Sequence, residues 1–420
     1  MEKVTTLTEL AENGSTLSKL YRNIVHRVFE QLEIGGLTIV EGKHRIQFGR
    51  NSEDIRIEVF NMEMYKSFAL GGSVGAAESY IEGHWKTNDL TKLIELFVLN
   101  QDVLDRFEKR FSWLSGIANK IKHRLNRNTQ AQSKKNIAAH YDLGNDLYRA
   151  FLSEEMLYSS AVFTSVEESL EKAQFNKLEA ICQRLDLQPG ERVVEIGTGW
   201  GALAIHAAKH YGVHVTTTTI SEEQHDYVQE QVVVQGLEKS ITLLKKDYRE
   251  LTGEYDKLVS IEMIEAVGHE YLAGFFQKCN SLLKESGVML IQAITIADQR
   301  YEHYLKQSDF IQQYIFPGGC LPSVEQMAKH LKEQTDMVMH QLSDIGIDYA
   351  HTLRHWHQRF VDAWPRLDHS KFDERFYRLW TFYLCYCEGA FRQRATSAVH
   401  LVARKPRAVT RDCQRSLNYL

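Results

Sequence analysis

Residues 193–201 read Val-Val-Glu-Ile-Gly-Thr-Gly-Trp-Gly, an apolar run closed by a carboxylate, Glu195, and three alternate glycines, Gly197, Gly199 and Gly201. A run this short and rich in β-branched residues suits a buried strand, and Ala202 to His210 continues with helix formers. Glycines let the intervening turn take positive φ and let a ligand approach the backbone closely. Such a turn serves nucleotide binding, and its spacing narrows the nucleotide. A phosphate-cradling loop would close on Lys followed by Ser or Thr, which this one does not. The dinucleotide pattern Gly-x-Gly-x-x-Gly would put its third glycine one position later, and the strand over 213–218 runs into Thr219-Ile220-Ser221 without a ribose carboxylate. Glu195 instead sets a negative charge beside the loop, which suits a cationic ligand such as the sulfonium of S-adenosylmethionine. A glycine-rich turn with no ligand would carry the same signature.

Strand patterns over 192–196, 213–218, 241–244, 257–261 and 288–294 alternate with helical stretches, which predicts an α/β fold with a parallel, doubly wound sheet. Ligands of such sheets sit beyond the carboxyl ends of the strands, so Glu195, Thr219, Asp247 and the segment Glu262 to Glu265 are expected on one face. Residues up to 128 mix a helical period over 15–33 with short strands at 37–40, 44–48 and 55–60, a small α+β domain. Gly71-Gly72-Ser73 breaks the chain before a helix that ends at Gly83. Tyr383 to Phe391 is helical and aromatic, and is expected to pack in the core.

Between Lys109 and Lys135 stand eight Lys or Arg residues and no Asp or Glu, in a chain whose formal net charge is -5. Phe111, Leu114, Ile117 and Ile121 form an apolar stripe beside these cations, a pattern that suits a helix lying on an anionic bilayer or one packed on its own domain. The polar stretch 129–135 is expected to link the first domain to a second over 136–405, with a tail over 406–420. The overall charge gives no pull toward nucleic acid. No stretch is apolar enough to span a membrane and the start lacks a signal-peptide core, which predicts a cytoplasmic protein at the inner face of the membrane. Six cysteines lack metal-ligand spacing, so no metal site and no disulfide framework are expected.

His140-Tyr141-Asp142-Leu143-Gly144-Asn145-Asp146 and Tyr158-Ser159-Ser160-Ala161 precede the first strand of the sheet. With the glycine turn, Ile220-Ser221-Glu222-Glu223-Gln224, Asp247-Tyr248-Arg249, Ile264-Glu265-Ala266-Val267-Gly268 and Tyr383 to Phe391, they make the chain resemble the cyclopropane-fatty-acyl-phospholipid synthase family over about 135–405. Gly72 to Trp85 is similar to the end of that family's amino-terminal lipid-associated domain. The resemblance implies a class I methyltransferase fold and transfer of a methylene group from S-adenosylmethionine to the cis double bond of an unsaturated phospholipid acyl chain, with a homodimer among its implications. Tyr141, Tyr158, Ser159, Gly197, Gly199, Gly201, Thr219 and Gln224 would line the cofactor with Glu195, and Tyr248 and Arg249 would take its adenine side. The resemblance also implies bicarbonate as the base, held by Ser160, Glu265, Gln292, Ile294 and Tyr349. Ser160 stands where many members carry Cys, and Gln292 where the bacterial enzymes carry His; Gln can bind an oxyanion but cannot titrate. Methyl transfer without ring closure, and a non-catalytic lipid- or cofactor-binding protein, are the alternatives.

Overall fold

The computed structural model describes residues 16–51, 54–111 and 144–408, without the side chains of 107–111. Tyr141 and its neighbours, the stretch 129–135, nearly all of the basic segment and residues 409–420 lie outside the described residues. The chain packs as two compact units. Described residues up to 111, with 307–315 and 356–395, form one; residues 144–306, 316–355 and 396–408 form the other. The span 136–405 therefore does not pack as one body.

The first unit is built on a four-stranded sheet in the order β2-β1-β3-β4, comprising β1 (Gly36–Glu41), β2 (His44–Gly49), β3 (Arg56–Val59) and β4 (Trp85–Thr87). β1 and β2 form an antiparallel hairpin, and β3 adds parallel to β1. Alternation turns Leu37, Ile39, Ile57 and Val59 into the core. A helix over Glu63–Ile81 breaks at Gly72, whose φ of 54° and ψ of -134° suit only glycine, where the Gly-Gly pair predicted an interruption. The helix Glu374–Arg392 buries Trp380, Phe382, Tyr383, Leu384, Cys385 and Phe391, so the aromatic stretch is core as expected. Phe382 packs on Tyr80 and Phe310, with ring centroids 5.6 and 4.9 Å away.

The second unit carries a seven-stranded sheet in the order β10-β11-β9-β8-β5-β6-β7. Its strands are β5 (Arg192–Ile196), β6 (His214–Thr219), β7 (Ile241–Lys245), β8 (Tyr255–Ile261), β9 (Leu283–Ile296), β10 (Val338–Asp344) and β11 (Thr396–Arg404). Strands β5 to β9 are parallel neighbours, as the alternation predicted. The sheet as a whole is mixed, because β11 runs antiparallel to both β9 and β10. Strand direction at that edge depends on pairing partners far apart in sequence, which local patterns do not encode. Both faces are covered: Val193, Val215 and Val259 meet Ile181, Leu203 and Ala207 on one side, and Val194, Leu258 and Ile291 meet Phe275 and Phe276 on the other. The order reverses between β5 and β8, so the carboxyl ends of these two strands flank the crevice where such sheets bind ligands.

Candidate active site

The glycine loop leaves β5 at this crevice. Gly197, Gly199 and Gly201 have φ of 99°, 53° and 86°, and the Gly197 and Thr198 N–H groups donate to the Thr218 carbonyl, tying the loop to β6. The three glycines have different reasons. A Cβ on Gly201 would lie 2.9 Å from the Val228 side chain, and one on Gly197 would lie 3.3 Å from Met263. A Cβ on Gly199 would meet nothing within 4 Å. Packing thus requires glycine at 201 and crowds any side chain at 197, while Gly199 opens onto a cradle that a side chain would fill.

Neighbouring groups are pre-set around that cradle. The Thr219 hydroxyl donates to Gln224 Oε1 at 2.8 Å and accepts from the Ser221 N–H at 3.1 Å, holding the turn after β6. Asp247, 4% exposed, accepts two hydrogen bonds from the Arg249 guanidinium at 2.8 and 2.6 Å. The same guanidinium lies 5.5 Å from the Tyr248 ring centre. Tyr158 packs against Tyr148, and Tyr148 against Trp200 of the loop, with centroids 5.4 and 4.9 Å apart. Ring faces of this kind attract cations. The Ser159 hydroxyl is turned away from this set, accepting from Lys177 Nζ at 2.8 Å.

Glu195 does not present the negative charge that the sequence suggested. It is 2% exposed, accepts from the Thr217 hydroxyl at 2.6 Å, and lines a small cavity with Ile181, Cys182, Leu203 and Ala204. Burial pushes its carboxyl up to about 8, opposed by Thr217 and by Lys177. Lys177 is itself fully buried, and burial pulls its ammonium down to about 8 against the attraction of Glu262 and Glu195. The pair belongs to the inner face of the sheet.

The group on which the site converges is Glu262, the residue after β8. Its Oε1 accepts from the Ser160 N–H at 2.9 Å and from the Gln292 side-chain amide at 2.7 Å, and its Oε2 accepts from the Tyr349 hydroxyl at 2.7 Å. Gln292 is aimed by its neighbours: His400 Nε2 lies 2.8 Å from Gln292 Oε1, and Arg184 hydrogen-bonds His400 Nδ1. Because a guanidinium only donates, Nδ1 accepts and Nε2 carries the proton, which leaves the Gln292 NH2 for Glu262. Burial holds His400 neutral, well below the usual imidazole range. Glu265 is adjacent, taking the Ile294 N–H on Oε1 while its Oε2 is buried without a partner among the described residues. Burial, and then the Glu262 charge, push Glu265 up to about 8. Burial also raises Glu262, against hydrogen bonds from Ser160, Tyr349 and Gln292. Two close carboxyls share charge poorly, and the one with three donors is the better anion.

Three of the five residues assigned to bicarbonate, Ser160, Gln292 and Tyr349, thus converge on Glu262, and the other two, Ile294 and Glu265, pair with each other beside it. The donors expected to hold bicarbonate have partners within the chain: the Ser160 N–H, the Gln292 amide and the Tyr349 hydroxyl donate to Glu262, and the Ile294 N–H to Glu265. Glu262 was legible as part of an acidic cluster at a strand end, but nothing in its local sequence marked it as the centre. Lys177 carried no signal, being one cation in an amphipathic helix.

Comparison with known proteins decides what this constellation belongs to. Residues 128–401 match the family described as mycolic acid cyclopropane synthetase. The chain belongs to that family. Members similar to it include the cyclopropane-fatty-acyl-phospholipid synthase of Escherichia coli strain K12, 37% identical over 82% of this chain and 86% of that one. Equally identical, over 76% of each chain, is the tuberculostearic acid methyltransferase of Mycobacterium tuberculosis. Among solved structures, the mycolic acid cyclopropane synthase complexed with SAH and CTAB matches at 30% identity and a TM-score of 0.61, covering 65% of this chain and 98% of that one. As a member of the family, the protein is an S-adenosylmethionine-dependent enzyme that transfers a methylene or methyl group to lipids, and its second unit has the class I methyltransferase fold. Among the described residues, no helix is long and apolar enough to cross a membrane.

Proposed function

We propose that the protein converts the cis double bond of an unsaturated phospholipid acyl chain into a cyclopropane. The carrying observation is the carboxyl pair Glu262 and Glu265 at the carboxyl end of β8, within the crevice that the glycine loop opens. Carbon methylation of an alkene leaves a cation that must lose a proton, and a carboxylate at the site supplies the acceptor. Gly197, Gly199, Gly201, Thr219, Gln224, Tyr248, Arg249 and Tyr158 are the residues we assign to the cofactor, and we keep Tyr141 and Ser159 in that assignment from the motifs that carry them. When bound, S-adenosylmethionine supplies an electrophilic methyl group. The rings of Tyr148, Tyr158 and Trp200 favour positive charge nearby without offering a nucleophile to trap it. The basic, apolar-striped segment 109–135 would bring the protein to anionic lipid surfaces, where the acyl chains are.

A second reading keeps methyl transfer and places proton loss on the acyl chain, giving an unsaturated methyl-type branch instead of a ring. The tuberculostearic acid methyltransferase, 37% identical like the cyclopropane synthase, supports keeping it. Expression in a host lacking such an enzyme tests both: ring-proton signals in the extracted acyl chains support cyclopropanation, and branch signals of the same added mass replace it. Purified protein that releases no S-adenosylhomocysteine with unsaturated phospholipid would leave a non-catalytic lipid-binding role.

A further inference from the structure

We propose that the Glu262 carboxylate is the built-in proton acceptor of this protein, standing where bicarbonate would otherwise be bound. The inference rests on the proposed alkene chemistry and deepens it.

Four observations carry it. Three donors from three separate parts of the chain, the Ser160 N–H, the Gln292 amide and the Tyr349 hydroxyl, converge on the two oxygens of this one side chain at 2.7 to 2.9 Å. An exogenous oxyanion would compete with Glu262 for all three. The Gln292 amide is fixed as a donor by the Arg184–His400 relay behind it, and among the described residues its NH2 serves Glu262 and the Ser160 carbonyl. Glu262 also holds a φ of 47°, a left-handed conformation uncommon for a residue other than Gly, Asn or Asp, which its surroundings must impose. Its position is partly exposed and immediately precedes Met263, which packs against the glycine loop at Gly197.

A carboxylate offers about four lone-pair positions. Among the described residues Oε1 receives two hydrogen bonds and Oε2 one, so there Oε2 keeps a lone pair for a proton. In the step, a C–H bond of the newly added methyl breaks and its electron pair closes the carbon–carbon bond of the ring at the cationic carbon. The proton passes to Glu262 Oε2, and the neutral acid returns it to solvent before the next cycle. No further reactant is needed.

The test uses the full-length protein with S-adenosylmethionine and vesicles of cis-unsaturated phosphatidylglycerol and phosphatidylethanolamine, in carbonate-stripped buffer with and without added bicarbonate. S-adenosylhomocysteine release and ring protons are read. Wild type should run at one rate in both buffers. Glu262→Gly, which suits the left-handed backbone, should bind cofactor normally and lose turnover by on the order of a hundredfold in stripped buffer. Added bicarbonate should restore it by about tenfold or more, because the three donors are then free to hold that anion. Glu262→Gln fills the same space and should be slow in both buffers. Wild type that stalls in stripped buffer and restarts with bicarbonate overturns the proposal, and this arm needs no variant to fold. So does Glu262→Gly or Glu262→Gln turning over at the wild-type rate without bicarbonate. Wild type that releases no S-adenosylhomocysteine even with bicarbonate overturns the alkene chemistry and this inference together.

Discussion

Gln292 on β9 and His400 on β11 are direct partners across an antiparallel pair, and His400 Nε2 reaches Gln292 Oε1 at 2.8 Å with both side chains fully buried. The antiparallel edge of the sheet therefore does more than complete the fold. It supplies the imidazole that decides which end of the Gln292 amide faces Glu262.

Replacing His400 tests that coupling. His400→Phe should leave Gln292 Oε1 and the Arg184 guanidinium without their partner, costing about 1–3 kcal/mol of stability. Turnover should fall while cofactor affinity holds, since Gln292 can then rotate. Urea denaturation and cofactor titration check the two halves; unaltered stability would contradict the relay.

Tyr349→Phe removes one of the three hydrogen bonds that favour the Glu262 anion. A hydrogen bond to a charged group is worth about 1.5–3 kcal/mol, so turnover near neutrality should drop roughly tenfold or more. The sign of the pH effect follows from Glu262 acting ionised: activity is lost as pH falls through its pKa, which burial already holds above the ordinary value. Losing a donor raises that pKa further. The acid limb of the kcat profile should move to higher pH in the variant, which a role confined to packing would not produce.

Glu265→Gln should be milder than Glu262→Gln. With its pKa pushed up to about 8, Glu265 is mostly protonated at neutral pH, and a neutral amide imitates that state. Side-by-side rates at pH 7 are the measurement, and equal losses would place the two carboxyls on the same footing.

Glu195 bears on stability. Its folded pKa of about 8 lies above the ordinary glutamate value of 4.5, so the folded state binds the extra proton between those limits and stability falls as pH rises through them. The slope is at most ~1.4 kcal/mol per pH unit for one proton. Glu195→Gln keeps an acceptor for Thr217 and should flatten the decline between pH 5.5 and 7.5, read from urea midpoints.

Gly199→Ala separates ligand approach from packing. The new Cβ meets no neighbour, whereas in Gly201→Ala it presses on Val228. The Gly199 variant should lose cofactor affinity with a small stability cost from its positive φ, and the Gly201 variant should lose stability first. Calorimetric titration and thermal melts distinguish them.

The basic segment 109–135 makes binding to anionic vesicles salt-dependent if it is the membrane contact, because exposed charges are screened beyond about 10 Å at 0.1 M salt. Co-sedimentation should fall steeply as salt rises; salt-independent binding would assign the contact to apolar residues instead.

Five strands of the second unit, β5 to β9, and the turn at Gly197 to Gly201 were determined by the sequence alone, because a buried strand and a tight turn each leave a local pattern of residue types. Motif order likewise sufficed for the family. The direction of β11 was not legible, nor was the packing of 307–315 and 356–395 with the first unit, since both depend on partners distant along the chain. Glu195 shows the limit within a motif: it shares Val193's face of a sheet covered on both sides, so its carboxyl is turned inward and held protonated whatever the neighbouring glycines suggest. Only the tertiary structure made Glu262 the centre of the site. Its three donors lie 102, 30 and 87 positions away, and no local period records a meeting produced by strand order and the return of a distant helix.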